Sequence, residues 1–353
     1  MENSSEELER LNFGSAADRL SELERRAASL VRIPENGLSN DHIHTFYSFS
    51  EYSPAAAAYF AAGCGFSRIG IADHDSVSGA EEFISAGRIL GIGTIIGCEC
   101  RVKTDLTALS GMRLNSPDQT SLAYVVMHDI PERNIGMVDR YFAPRRKLRL
   151  ERDEKMCERL SELTRPLGIE VDFESDVLPL SHSDEGGSVT ERHIVLALAR
   201  KLLSVAKNDA ELGVLLYRLG VKLCRSVIGE ADAETRLLNL LKSDFVESFY
   251  IPAAEECQYV REFIDFCAEV GAVPAYAYLG DVINASGSDK KPQKYEDDEL
   301  DFIIPELKRL GFGAVTYMPC RNTKAQIKRI KELCESYDLI AVTGCESPCG
   351  NTL

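Results

Sequence analysis

No stretch of this chain approaches the roughly 20 consecutive apolar residues that cross a bilayer. The opening Met1-Glu2-Asn3-Ser4-Ser5 has neither the basic start nor the apolar centre of a secretory signal. The eleven cysteines are odd in number and include no Cys-x-x-Cys pair, which argues against a disulfide framework and for a reducing compartment. Together these absences make a cytoplasmic protein the expectation. Positive charge is also short: 40 Lys and Arg face 56 Asp and Glu, a formal charge of −16. Phosphate backbones and anionic membranes attract basic surfaces, so neither is an expected partner, and an anionic substrate would need help from metal ions or local arginines. No collagenous or internal repeat appears either. What is present suffices for a sizeable core, since 353 residues with 44% apolar content allow one barrel with an insertion, or two domains.

Three clusters of metal-competent side chains stand out, the second and third at the ends of apolar runs: Asp41-His42-Ile43-His44-Thr45, then Ile71-Ala72-Asp73-His74-Asp75, then Ile96-Gly97-Cys98-Glu99. In an extended segment successive side chains alternate faces, so His42 and His44 project to one side and Ile43 to the other. Asp73 and His74 come directly after Arg68 to Ala72, and Glu99 one residue after Thr94 to Gly97. Successive strand ends that each deliver polar groups are how a βα barrel assembles an active site.

These motifs resemble the PHP (polymerase and histidinol phosphatase) family: His-x-His-Thr at 42–45, Ile-Ala-Asp-His-Asp-Ser-Val-Ser-Gly-Ala-Glu-Glu-Phe at 71–83, and Gly-Cys-Glu at 97–99. The likeness is close over 40–100 and looser to about residue 350. It implies an irregular (β/α)7 TIM-like barrel that hydrolyses phosphate esters with metal ions held by His, Asp and Glu. Leu122 to Met127 is another apolar run ending in a histidine, His128. The resemblance implies a ligand there, about thirty residues after the glutamate. Two departures stand out. Relatives carry Ala-His-Pro after a late strand, where this chain has Tyr276, and Ser-Asp-x-His after the last strand, where it has Glu346-Ser347-Pro348. Glu346 can replace an Asp ligand and Pro348 cannot replace a His.

The candidate ligands are therefore His42, His44, His74, Glu99, His128 and Glu346. Imidazole and carboxylate together suit Zn, Mn or Fe, and the altered positions imply one or two ions. Asp73 and Asp75, flanking His74, are candidates to orient a ligating imidazole. Arg192-His193 resembles a phosphate-holding pair of small PHP phosphoesterases, though as a helix start it equally suits capping and packing. Asp73, Asp75, Arg192 and His193 make up the candidate catalytic set.

Along the chain, apolar spacing predicts a docking helix over 16–33, and Ser53-Pro54 reads as N-cap and N1 of a helix ending at Gly63. Strands 68–72 and 93–97 with helix 79–91 between them predict parallel βα units. From Pro144 to about Ile251 helices dominate, which predicts an insertion capping the mouth. Within it Arg145, Arg149 and Arg152 share a helical face, expected to be solvated and paired with Glu151, Asp153 and Glu154. The βα alternation returns with helices 253–270, 300–310 and 324–337 and strands 272–277, 313–318 and 339–343. A polar rim loop is expected over 281–298, ending in solvated helix-start acids at 296–299. The expected division is 1–37, a docking helix; 38–143 with 252–353, the barrel; and 144–251, the cap. The functional expectation is a metal-dependent phosphoesterase of a small phosphorylated metabolite or nucleotide. The alternative is a PHP-fold binding or regulatory protein that has lost part of its metal site.

Overall fold

The computed structural model describes residues 2–34, 37, 39–116, 119–282 and 295–349. Helices α1 (Glu2–Asn12) and α2 (Ala16–Ala27) lead into β1 (Ser39–Ile43), α3 (Pro54–Gly63), β2 (Arg68–His74), α4 (Ala80–Leu90), β3 (Gly93–Lys103) and β4 (Leu122–His128). Four helices follow: α5 (Ile135–Thr164), α6 (Glu191–Val205), α7 (Asp209–Arg218) and α8 (Ala233–Asp244). The chain closes with β5 (Gln258–Tyr259), α9 (Val260–Val270), β6 (Val273–Ala277), α10 (Leu300–Leu310), β7 (Ala314–Tyr317), α11 (Lys324–Ser336) and β8 (Ile340–Thr343). Local chemistry sets many of these ends. Ser53 caps α3 by accepting from the Ala56 N–H, with Pro54 at N1. Thr323 and Gln326 form a reciprocal capping box on α11.

The sheet runs β1-β2-β3-β4-β6-β7-β8, with two-residue β5 added beside β3. The His44 N–H donates to the Glu346 carbonyl at 3.2 Å just beyond the two ends of this path, which makes a nearly closed, irregular seven-strand barrel as expected. Strand parity sorts the side chains. Ile43, Ile69, Ile71, Cys98, Cys100, Val125 and Met127 point outward into the main core beneath the helices. The interior carries Ala72, Val126, Ala275, Ala277 and Ala314, residues small enough to leave room for imidazoles in a narrow lumen.

Several expectations need correction. β4 is antiparallel to both β3 and β6, because no crossover helix lies among the described residues between Lys103 and Leu122. Strand β3 continues to Lys103, so Glu99 lies within it and not at its end. The docking helix stops at Ala27, and α1 precedes it without having been anticipated. The helix predicted from Arg145 begins at Ile135 and runs through Pro144; proline forfeits one intrahelical bond, which packing at both ends of this 30-residue helix offsets. Val138 and Phe142 join the barrel core, whereas Met156, Cys157 and Leu160 join a second core built from residues 156–249. The helix predicted from Ala253 begins only at Val260, after β5. The rim loop falls mostly at 283–294, outside the described residues. Its closing acids are not simply solvated: Glu296 is buried, accepting from the Tyr276 hydroxyl at 2.7 Å and the Gly280 N–H at 2.7 Å, and burial pushes its carboxyl up to about 7.

Cysteine pairing also differs from expectation, since Cys64 at the end of α3 is bonded to Cys349. Asn40 reinforces this tie, accepting from the Cys345 N–H at 2.8 Å and donating to the Ser347 carbonyl at 2.8 Å. The segment bearing Glu346 is thus fastened to both β1 and α3. Among the described residues no helix is long and apolar enough to cross a membrane.

Candidate metal centre

Because Ile43 points outward, His42 and His44 point into the lumen, as their spacing predicts. β2 and β3 run parallel with His74 paired to Glu99, so both project inward at the same height. Three imidazoles converge on the Glu99 carboxylate. His42 Nε2 lies 3.6 Å from Oε1, His44 Nε2 lies 3.6 Å from Oε2, and His74 Nδ1 lies 3.0 Å from Oε2. Among the described residues His42, His44 and Glu99 are the one group of this kind with ligand atoms within 4.8 Å of one another.

The donor set fits a divalent transition ion. His42 is fully buried, and neither of its ring nitrogens has a hydrogen-bond partner, although buried polar atoms are normally satisfied. The 3.6 Å separations from Glu99 exceed hydrogen-bond range. Burial pushes His44 and His128 down to about 3, so both imidazoles are neutral at physiological pH, the form that ligates.

The other candidates occupy distinct places. His128 stands one residue past the Cys98–Met127 pair, its ring 6.4 Å from that of His42 and its Nε2 3.0 Å from Thr316 Oγ1. Glu346 is solvent-accessible at the end of the barrel. Its carboxyl end lies among protein atoms that disfavour its charge, but the cations Arg192 and Lys242 outweigh that and hold it well below the usual carboxylate range. Asp73 turns away from the imidazoles and accepts from the Thr45 N–H at 2.6 Å, Thr45 Oγ1 at 2.5 Å and Ser48 Oγ at 2.7 Å. It fixes the loop after β1. Asp75 pairs with Arg149 at 2.5 Å rather than with an imidazole. His193 is buried at the third position of α6, where its Nδ1 accepts from the Thr190 N–H at 3.0 Å, a capping arrangement. Arg192 reaches over the Phe49 ring at 5.7 Å.

Tyr276 faces outward into the main core, and the lumen side of β6 presents Ala275 and Ala277. The tyrosine therefore does not stand in for an inward histidine; the register puts alanines there. Arg149 and Arg152 are buried, not solvated. Arg152 pairs with Glu256 at 2.8 Å and with Asp153 at 3.2 Å, and Arg101 joins Glu256 at 3.1 Å. Lys242 was not anticipated, being fifty residues beyond Arg192; helix α8 brings it within 4.0 Å of Glu191 and close enough to act on Glu346. A lone lysine in an amphipathic helix gives no signal of this kind.

Gly344 lets the last segment approach the centre. A Cβ there would lie 2.4 Å from the His42 Cβ and 3.1 Å from the Thr316 Cγ2, and a Cβ atom has no rotamer by which to escape. Gly344→Ala is expected to cost about 1–3 kcal/mol and to weaken metal binding by displacing His42. Thermal unfolding with and without Zn(II) checks this; wild-type stability and metal response in the variant would show that the segment moves freely.

An inward-facing imidazole and carboxylate cluster in a nearly closed mixed α/β barrel defines a TIM-like fold with a metal-competent centre. The particular family agrees with the motifs: the PHP domain model matches residues 41–201, and over that stretch the chain carries a PHP domain. Among solved structures, a provisionally assigned metal-dependent phosphoesterase from Bifidobacterium adolescentis aligns with a TM-score of 0.57 at 20% identity, covering 88% of this chain and 87% of that one. An amidohydrolase from Chromobacterium violaceum, with bound sulfate and no metal, aligns with a TM-score of 0.55 at 14% identity over the same shares. At these identities the similarity shows the fold. No curated protein matches the chain.

Proposed function

We propose that this protein is a metal-dependent hydrolase of phosphate esters, acting on a small phosphorylated metabolite or nucleotide. The observation that carries the reading is the convergence of His42, His44 and His74 on Glu99, beside a Glu346 that Arg192 and Lys242 face from the helical segment. His42, His44, His74, Glu99 and His128, with Glu346, would hold one or two Zn, Mn or Fe ions. Such ions would activate water and neutralise phosphoryl oxygens. The chain's own groups do the rest. Arg192 and Lys242 draw an anion toward the centre against the overall negative charge, Asp73 keeps the loop beside His44 in place, and residues 144–251 cover the mouth and limit water entry. In this reading residues 1–37 dock against the barrel formed by 38–143 and 252–353.

The alanines of β6 and the proline at 348 favour a second reading, a PHP-fold binding protein with a reduced metal site. Elemental analysis of purified protein together with a phosphate-release screen separates the two. One or two equivalents of Zn, Mn or Fe with chelator-sensitive phosphate release from a monoester supports the enzyme. Metal without turnover of any phosphoester supports the binding protein, and protein that takes up no metal at all overturns the proposal.

A further inference from the structure

We infer that Arg149, on the long helix α5, is a positioning residue that holds the turn leaving β2, where Asp75 is hydrogen-bonded to β3; this rests on the metal-centre reading above. Parallel pairing between β2 and β3 ends at His74 and Glu99. The next residue, Asp75, adopts φ +52°, a left-handed conformation that a non-glycine residue keeps only where its surroundings over-determine it. Three contacts do so. The Asp75 N–H donates to the Glu99 carbonyl at 2.7 Å, Arg149 Nη1 donates to Asp75 Oδ2 at 2.5 Å, and Arg146 Nη1 donates to the Asp75 carbonyl at 2.9 Å. Two of the three come from α5. Arg149 and Asp75 are both buried, so solvent does not screen the pair. Arg146 is itself held by Asp139 at 2.7 Å.

The consequence falls on the metal centre. The His74 Nδ1 to Glu99 Oε2 approach of 3.0 Å depends on the two backbones staying in register, and the Asp75 turn is the last tie between them. Without Arg149, a buried Asp75 carboxylate would lose its ion-pair partner. Whether it rotates toward water or takes up a proton, the charge-assisted bond from α5 that fixes the left-handed turn is lost, and the register of His74 with Glu99 loosens. Arg152, one helical turn onward on α5, makes a comparable buried pair with Glu256 but does not touch the turn. It is the internal control.

The test uses the full chain, with Mn(II) affinity measured by competition against a chelating dye and amide hydrogen exchange read at Asp75. Arg149→Met is expected to weaken Mn(II) binding about 10- to 100-fold, the usual effect of losing an outer partner of a ligand, and to speed exchange at the Asp75 amide. Arg149→Lys, which keeps the charge, should recover most of the affinity. Arg152→Met should lower the melting temperature while leaving the affinity at the wild-type value. Wild-type affinity in Arg149→Met, or an equal loss in Arg152→Met, overturns the inference. If Arg149→Met does not fold, Arg149→Gln serves in its place, keeping a donor but not the charge. If wild-type protein binds no Mn(II), the metal reading fails; exchange at Asp75 then still decides the contact, fast in Arg149→Met if Arg149 holds the turn and unchanged if it does not.

Discussion

The double variant His42→Ala/His44→Ala is expected to lose divalent metal binding entirely while remaining folded and soluble. Both imidazoles are buried, and they supply two of the three side chains whose ligand atoms all lie within 4.8 Å of one another. Of the proposed ligands His74, Glu99, His128 and Glu346 would remain, but among the described residues no three of them bring their donor atoms together as His42, His44 and Glu99 do, which leaves too few neighbouring donors to compete with water for Zn, Mn or Fe. The effect on stability runs against intuition. Truncating a buried side chain normally leaves a costly cavity, but neither nitrogen of His42 has a hydrogen-bond partner, and each such buried polar atom costs about 1–3 kcal/mol. Its removal offsets the lost packing, so the metal-free variant should melt close to the metal-free wild type. Added metal separates them. An ion at a hundred times its dissociation constant stabilises the folded wild type by about 2.7 kcal/mol and should do nothing for the variant. Full metal content in the double variant would remove His42 and His44 from the ligand set. A collapse of its fold in the absence of metal would give the imidazoles a packing role.

How much of this could be read from the residues depends on the range over which each feature is encoded. His42 and His44 share a face because strand periodicity is two, a rule that needs no tertiary information. The start of α3 at Ser53-Pro54 and the span of α10 were likewise local and came out as expected. Features set by partners distant in sequence were not legible. A run of arginines looks the same whether it is solvated or buried, and only the fold reveals that Arg149 meets Asp75 and Arg152 meets Glu256. The direction of β4 was hidden because a polar loop carries no mark of whether it crosses the sheet or turns back on it. Tyr276 shows the sharpest limit. A shift of one residue exchanges lumen for core, so aligning it with a family histidine could not tell that its side chain leaves the barrel and bonds to Glu296. Cys64 and Cys349, separated by 285 residues, gave no spacing signal at all.

Arg192→Ala is expected to reduce kcat/KM on a phosphate monoester by roughly 10²–10³-fold, the scale of removing one well-placed donor to a developing anionic charge, without changing the number of metal ions bound. A chain with a formal charge of −16 repels its proposed substrate at long range, so the capture must be local. Arg192 stands at the second position of α6, over Phe49, and helps hold the Glu346 carboxyl low, which brings a permanent positive charge close to the proposed ligands. Guanidinium offers a phosphate two parallel, charge-assisted hydrogen bonds and stays ionised at any relevant pH. Arg192→Lys keeps the charge and loses both the fork and the flat face that lies over Phe49, so its loss should be smaller than that of alanine but clearly measurable. The neighbouring His193 gives a way to separate capture from packing. It caps α6 through Thr190 and packs against Phe49 at 4.9 Å, so if Arg192 only supported the helix, its alanine variant would lower the melting temperature and leave turnover per metal-loaded enzyme unchanged. That outcome would return Arg192 to the capping region. It would also leave Lys242, the other cation that acts on Glu346, as the group to replace next, because Arg149 and Arg152 are already committed to buried carboxylates.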